Sequence, residues 1–499
     1  MKIDWSSIEP AVFLSSAAVV LAVLLFGVAD PELAKQLFVG LQDWIVGRFS
    51  WLFVSATGFF LVFSLWAAFG ARGRLRLGPD DEPADFALSS WFAMLFSAGM
   101  GIGIVFYGVA EPALHYAGPP GAVAGTPGAA RQAMTITFYH WGLHAWGVYA
   151  VMGLAIAYFG HRRGLPLAIR STLEPLLGDR IHGFIGHAVD VVAVFGTLFG
   201  LATSLGLGAM QINAGLVRLF GAPQGIGVQV VIIAVVTAGA TTSVVLGLDK
   251  GIRRLSELNV ALATALLVFV VITGPTVAIL QALPRGIVDY GLAILPWSTG
   301  LSPLGDADWQ KSWTIFYWAW WIAWSPFVCM FIARISRGRT IREFVLGVLL
   351  VPTLVSLVWF TVFGWSALYL DAQSPGIVGA VQGDISTGIY ALLDRLPWAG
   401  FSSLLAAVLV AVFFVTSSDS GSFVVDMLTS GGHLDPPVWQ RIFWAVSEGV
   451  IAGILLVSGG LVALRSAAIN TGLPFCVVLL FVCAGLGRAL WQEGRKSPV

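Results

Sequence analysis

The sequence predicts an all-α integral membrane protein of about twelve transmembrane helices, and three observations carry that prediction. Of the 499 residues, 57% are hydrophobic and only 11% are charged, against about 45–50% and about 25% in an average soluble chain. Apolar windows of about 20 residues, the length that spans a bilayer, recur from end to end. Lys and Arg are shared unevenly between the connections that join those windows.

The windows lie at roughly 11–29, 50–70, 88–108, 137–159, 184–210, 228–248, 257–280, 313–334, 344–369, 400–424, 438–459 and 464–487. The first is too long for the apolar region of a signal peptide, and no small-residue cleavage site follows it. With the N-terminus inside, 19 of the 27 basic residues fall in inside connections and 8 in outside ones. Both termini are therefore expected in the cytoplasm. Only the connections 109–136 and 281–312 are long, and the second carries an amphipathic stretch near 286–296. The whole chain, 1–499, reads as a single transmembrane domain.

Basic and acidic residues balance at 27 each, which excludes an electrostatic nucleic-acid binder. Cys329, Cys476 and Cys483 sit in apolar runs and read as small buried hydrophobes rather than a disulfide framework. No P-loop, G-x-S-x-G, H-E-x-x-H or paired-Cys motif points to an enzyme. By spacing, the seven histidines form no ligand cluster.

Two spans carry signs of interruption, which in a membrane is tolerated only where the backbone lines a cavity. The third holds Gly99, Gly101 and Gly103 at alternate positions. Gly99 and Gly103 suit close helix packing, but Gly101 between them weakens the helix further, which leaves packing and unwinding evenly matched. The eighth holds Ser325-Pro326. Five spans separate the two, so helices 3–7 (88–280) and 8–12 (313–487) are expected to form two inverted five-helix repeats. Two extra helices (1–87) precede them, 281–312 links them outside, and 488–499 is a short tail. Carriers bind substrate where the discontinuous helices of such repeats meet.

Tryptophan normally gathers at the membrane interfaces. Here Trp313, Trp318, Trp320, Trp321 and Trp324 place five of the 20 within twelve residues of one span. On the fourth span Trp141, Trp146 and Tyr149 share one arc of the helix. A lone buried Trp is usually packing. Two helices with such clusters suggest a cage for a quaternary ammonium group, at about 0.5–2 kcal/mol per ring. No Asp or Glu is expected at mid-membrane beside these rings. Glu111, Asp190, Asp249 and Glu448 read as interfacial, with Asp190 and Glu448 the exceptions open to a proton relay.

The tenth span ends in five hydroxyl residues and one aspartate within the seven positions Thr416–Ser422. Helical Ser and Thr often bond back to their own chain. This density suits a hard cation such as sodium, with freed carbonyls of the third span as further ligands.

Several segments together resemble the betaine/choline/carnitine transporter family. They are Ser97 to Gly103 with Val109-Ala110-Glu111-Pro112, the run His140-Trp141-Gly142-Leu143-His144-Ala145-Trp146, and Gly196 to Gly208. The others are Leu248 to Arg254, Trp313 to Pro326, and Ala333 to Arg339. The likeness spans essentially the whole chain and is nearest in motifs to sodium-coupled glycine betaine carriers.

The resemblance implies a LeuT-like core, usually assembled as a homotrimer in a bacterial cytoplasmic membrane. It implies an aromatic box of Trp141, Trp146, Tyr149 and Trp321, with Trp320, Trp324 and Phe316 as further substrate-lining rings. The substrate carboxylate would face the backbone of Gly99, Met100, Gly101 and Gly103. Sodium would take the carbonyls of Ser97, Met100 and Phe413 and the hydroxyls of Thr416 and Ser417. A second sodium site, with Thr197 and Phe327, lacks one hydroxyl because Leu201 stands where such carriers have threonine. Choline carriers tend to have aspartate where Gly103 stands, so the chain leans toward a zwitterion.

The function so implied is a sodium-driven symporter for glycine betaine or a similar trimethylammonium zwitterion, working by alternating access without a cofactor. Alternatives are choline, carnitine, a sulfonium zwitterion or another compatible solute, with proton coupling or ion-independent exchange. A sensor or channel would use the same cage without coupling. The tail after Arg488 is about a dozen residues, short beside the charged extensions of osmosensing carriers.

Overall fold

The computed structural model describes residues 8–99, 101–245, 249–299, 304–433 and 436–494. The side chains of 96–99, 243–245, 249–253 and 494 are outside that description. Among the described residues all regular structure is helical, apart from one isolated bridge between Arg76 and Thr340.

Helix α1 (Pro10–Ala29) turns into α2 (Pro31–Ala68) at Asp30, whose side chain accepts from Leu33 N at 3.0 Å. This Asp cap followed by Pro starts a new helix with little loss. The third span is two helices, α3 (Leu88–Gly99) and α4 (Ile102–Ala117), with Gly101 extended between them. Of the two readings left open for the glycine run, unwinding is what the chain does. The fourth span is also two helices, α5 (Pro127–Trp141) and α6 (Leu143–Ala157), separated at Gly142. The sequence reading did not foresee that break.

Helices α7 (Phe184–Phe220), α8 (Ile226–Val245) and α9 (Asp249–Thr273) complete the first half. Helix α10 (Thr276–Ser298) occupies the stretch expected to be an amphipathic connection. The second half holds α11 (Phe316–Arg334), α12 (Ile341–Phe360), α13 (Ala399–Thr429) and α14 (Val438–Gly494).

Ten described helices are long and apolar enough to cross a membrane, against twelve expected windows. The third span is split into short halves, and the described apolar part of the sixth, Ile226–Thr242, is short. The last two windows run together as α14, broken only by Gly460 at φ 56°. Conversely, α10 qualifies although it was read as a connection.

The expected interruption at Ser325-Pro326 does not occur, because α11 is continuous through it. Pro326 has no N–H to give to Ile322 O. The Ser325 hydroxyl donates to that carbonyl instead, at 2.7 Å. One side chain repairs the bond that the next residue removes.

Helix α7 lies at the centre, against α11, α13 and α14. Its small residues make that approach possible. A Cβ on Gly196 would meet Ala323 O at 2.9 Å, and one on Gly206 would meet Leu464 Cδ1 at 2.5 Å. The Gly196-to-Gly208 run is thus a packing surface.

The Arg-rich segment after α11 is clasped to the segment after α2. Leu77 N donates to Arg339 O (2.8 Å), Gly338 N to Leu77 O (2.7 Å), and Arg76 Nη1 to Gly338 O (2.8 Å). Gly338 has φ +77°, and a Cβ there would lie 2.3 Å from Pro83 O, so only glycine fits. Arg162 adds a pair with Asp80 at 2.7 Å and another with Glu493.

Candidate substrate and ion site

The break at Gly142 builds the site. Ending α5 there frees its last carbonyls, and starting α6 frees its first amides. Trp321 Nε1 of α11 donates to the freed His140 O at 2.9 Å. Leu143 N donates to the Tyr290 hydroxyl of α10 at 2.9 Å. A Cβ on residue 142 would lie 2.6 Å from that hydroxyl, so glycine is required for the cap. The two rings that bracket the break, Trp141 and Trp146, are held on separate helices.

Trp141, Trp146, Tyr149, Trp320, Trp321 and Trp324 line one cavity with Gly101, Gly103, Ile104 and Ser356. Trp141 meets Trp321 edge to face at 4.9 Å, and Tyr149 meets Trp321 at 6.0 Å. Trp146 and Tyr149 are 5.1 Å apart, and Trp320 is stacked on Trp321 at 5.3 Å. Gly103 lets these rings approach, since a Cβ there would lie 2.7 Å from Trp320 and 3.2 Å from Trp141. Two lining residues keep buried donors without a partner, the Tyr149 hydroxyl and Trp324 Nε1. Phe316 stands outside the lining, stacked on Trp320 at 5.4 Å with the Arg465 guanidinium 5.0 Å from its ring.

The expectation that no carboxylate lies beside the rings is wrong. Glu111 is fully buried in α4. Its Oε2 accepts from Trp141 Nε1 at 2.8 Å and from the Tyr317 hydroxyl. Its Oε1 takes His140 Nδ1 at 2.7 Å and His115 Nε2 at 3.3 Å. Four donors thus use the carboxylate's four lone pairs. The histidines, expected to be scattered, therefore do gather, as Glu111, His115 and His140. Their carboxylate is already saturated by hydrogen bonds, so the group acts as a hub that orients Trp141. His140 Nε2 lies 3.0 Å from the Thr314 hydroxyl, which fixes the ring's other side.

Asp190 and Glu448 are both buried within the bundle. Asp190 accepts from Arg170 N at 3.0 Å, while Arg170 Nη2 reaches Glu9 at 3.0 Å. The Asp249 side chain lies outside the described residues.

On the ion side, Phe413 and Thr416 are buried in α13 and Ser417 is half-buried. The Thr416 hydroxyl lies 3.1 Å from Phe413 O and accepts from Asn259 Nδ2 of α9 at 2.8 Å. Asn259 Oδ1 is buried without a partner. Sequence reading missed Asn259, whose only signal was an amide in an apolar helix. Gly99 and Ser97 close α3, with the Ser97 side chain outside the described residues, as Met100 is altogether. Thr197 is buried on α7 with its hydroxyl unpartnered, and Phe327 packs on Trp324 at 5.5 Å.

Comparison with known proteins shows the family. The family described as BCCT, betaine/carnitine/choline family transporter, matches residues 11–495. The chain belongs to that family. Family members are transporters, so this one is a multi-pass membrane transporter and not an enzyme. It is 48% identical to the glycine betaine transporter of Acinetobacter baylyi, covering 99% of this chain and 76% of that one. It is 46% identical to the glycine betaine transporter OpuD of Bacillus subtilis, covering 97% and 95%. It is 45% identical to the glycine betaine/proline/choline/ectoine transporter VP1456 of Vibrio parahaemolyticus, covering 97% and 87%.

Proposed function

We propose that the chain is a secondary-active symporter that imports glycine betaine or a similar trimethylammonium zwitterion, driven by sodium. The observation that carries this reading is the cavity lined by five tryptophans on α5, α6 and α11, one tyrosine and two glycines. A methylated ammonium cannot donate a strong hydrogen bond, so ring faces suit it better than carboxylates or carbonyls. Glu111 strengthens that preference from behind, since its charge rests on Trp141 through the indole N–H. The partnerless Tyr149 hydroxyl and Trp324 N–H supply donors for the substrate carboxylate, alongside the backbone near Gly101 and Gly103.

Sodium would be held between the end of α3 and the Phe413–Ser417 segment of α13, with the bare Asn259 Oδ1 as an added oxygen. Sodium drives uptake only if it binds the states unequally, and a ligand set split between two helices provides that inequality. Leu201 favours one sodium rather than two. Both termini would face the cytoplasm of a bacterium, and the working unit would be a homotrimer. The named substrates of the Vibrio relative make proline, choline and ectoine the competitors to test.

The test is uptake by purified protein in liposomes, comparing these solutes under sodium, proton or no gradient. Glycine betaine should accumulate only with a sodium gradient. Trp321→Ala should lower affinity at least about tenfold, which is about 1.4 kcal/mol. A folded variant with unchanged affinity rules out the cage.

A further inference from the structure

Beyond the sodium segment, α13 meets α14 through Ser418, Ser422 and Glu448, all of them withdrawn from solvent. Glu448 Oε1 has no partner, and Ser418 Oγ beside it has none either. The Ser422 hydroxyl stands 2.9 Å from Ser418 O and 3.1 Å from Glu448 Oε2. A hydroxyl owns one hydrogen, and a backbone carbonyl can only accept. In the continuous helix Ser418 O also takes the Ser422 N–H, so the hydroxyl hydrogen is free for Glu448 Oε2, and this carboxyl has one donor for its two oxygens.

The surroundings agree. The charged groups facing this junction are Asp419 and Asp426 of α13, Arg441 of α14 and Arg334 of α11. Arg441 Nε is 3.9 Å from Asp426 Oδ2, and both guanidinium groups lie over the Phe423 ring at 5.6 and 5.9 Å. From α7 the neighbour is Leu201, which would lie 2.1 Å from a Cβ on Gly421, while Glu448 Oε1 lies 3.5 Å from the same point. Helix α8 presents Thr237, packed against Gly449, and has no charged residue between Ile226 and Val245. Among the described residues no cation pairs with Glu448. An ionised carboxylate in such a place would be strongly penalised.

We infer that Glu448, buried with one oxygen bare and no facing cation among the described residues, and with Ser422 and Ser418 alongside, is a proton-binding site at the α7–α13–α14 junction. The proton comes from water and returns to water, leaving carboxylate when it departs. Leu201 walls this carboxyl in from the α7 side. The link to uptake rests on the transport reading above, but proton binding itself does not.

The test has two readouts on full-length protein. Infrared spectra of the wild type, taken without substrate, should show a protonated carboxyl band that shifts in heavy water and is absent from Glu448→Gln. A difference spectrum that shows lost carboxylate instead overturns the site. In the second readout, tryptophan fluorescence follows glycine betaine binding against pH at saturating sodium. Wild-type affinity should change with pH by up to about tenfold per unit where the site titrates, and Glu448→Gln should flatten that profile. An unchanged profile, or a variant that loses its sodium dependence instead, overturns the proton assignment. If Glu448→Gln does not fold, Ser422→Ala takes its place, and a carboxyl band that fails to move overturns the site. A wild type that binds no glycine betaine would sink the transport reading alone, since the infrared result stands without substrate.

Discussion

Glu111 on α4 and Glu448 on α14 are both removed from solvent, and the protein treats them in opposite ways. Around Glu111 four donors meet four lone pairs, and one of those donors is a ring of the cage. Around Glu448 one oxygen is bare and the other shares a hydroxyl with a carbonyl. The contrast extends to the neighbours. On the aromatic side the Trp141 and Trp321 indoles are held by bonds already made, to Glu111 and to His140 O. The hydroxyl side keeps unmatched oxygens at Asn259, Ser418 and Thr197. The residue that orients the rings is satisfied internally, and the carboxyl proposed to bind a proton is left short.

The largest expected effect tests the satisfied side. Glu111→Ala strands several buried donors at about 1–3 kcal/mol each, so the folded state should lose at least about 3 kcal/mol. The thermal unfolding midpoint in detergent reads this out, and a midpoint near wild type would mean that Glu111 is not a hub. Next comes Gly103→Ala, which forces a methyl against Trp320 and Trp141. Overpacking of this kind costs about 1–3 kcal/mol, and glycine betaine affinity should fall by about tenfold. Binding as tight as wild type would show that the rings are free to move. Glu448→Gln should alter stability by less than about 1 kcal/mol, since an isosteric amide replaces an acid that lacks full partners. A loss as large as that of Glu111→Ala would erase the comparison.

The smallest effect is at the surface clasp. The Arg162 guanidinium beside Asp80 holds its carboxyl below the usual aspartate value. A lowered value means stability that is present above the ordinary aspartate range, near 4, and is lost as pH falls through the folded value. Asp80 is largely exposed, so Asp80→Asn should cost no more than about 0.5 kcal/mol at neutral pH. A midpoint shift that grows toward acid pH would contradict that sign.

The glycine run of the third span left packing and unwinding open, while the all-helical membrane class and most of the spans were readable from composition and local pattern, because each span is written within about 20 neighbouring residues. The hub was not. Glu111 meets His140 and Trp141 across about 30 residues and Tyr317 across 206, and no local rule connects them. The two misjudged breaks show the same limit. Ser325-Pro326 carries a strong local signal, yet a hydroxyl one residue away cancels it. Gly142 carries a weak one, and what decides it is Tyr290, which caps Leu143 from 147 residues along the chain.

That joint has a kinematic consequence. The fourth span is two short rods pinned at Gly142 to α10, with a cage ring at the joint on one rod and another a turn away on the other. A rotation at that joint would change the separation of Trp141 and Trp146 without bending either rod.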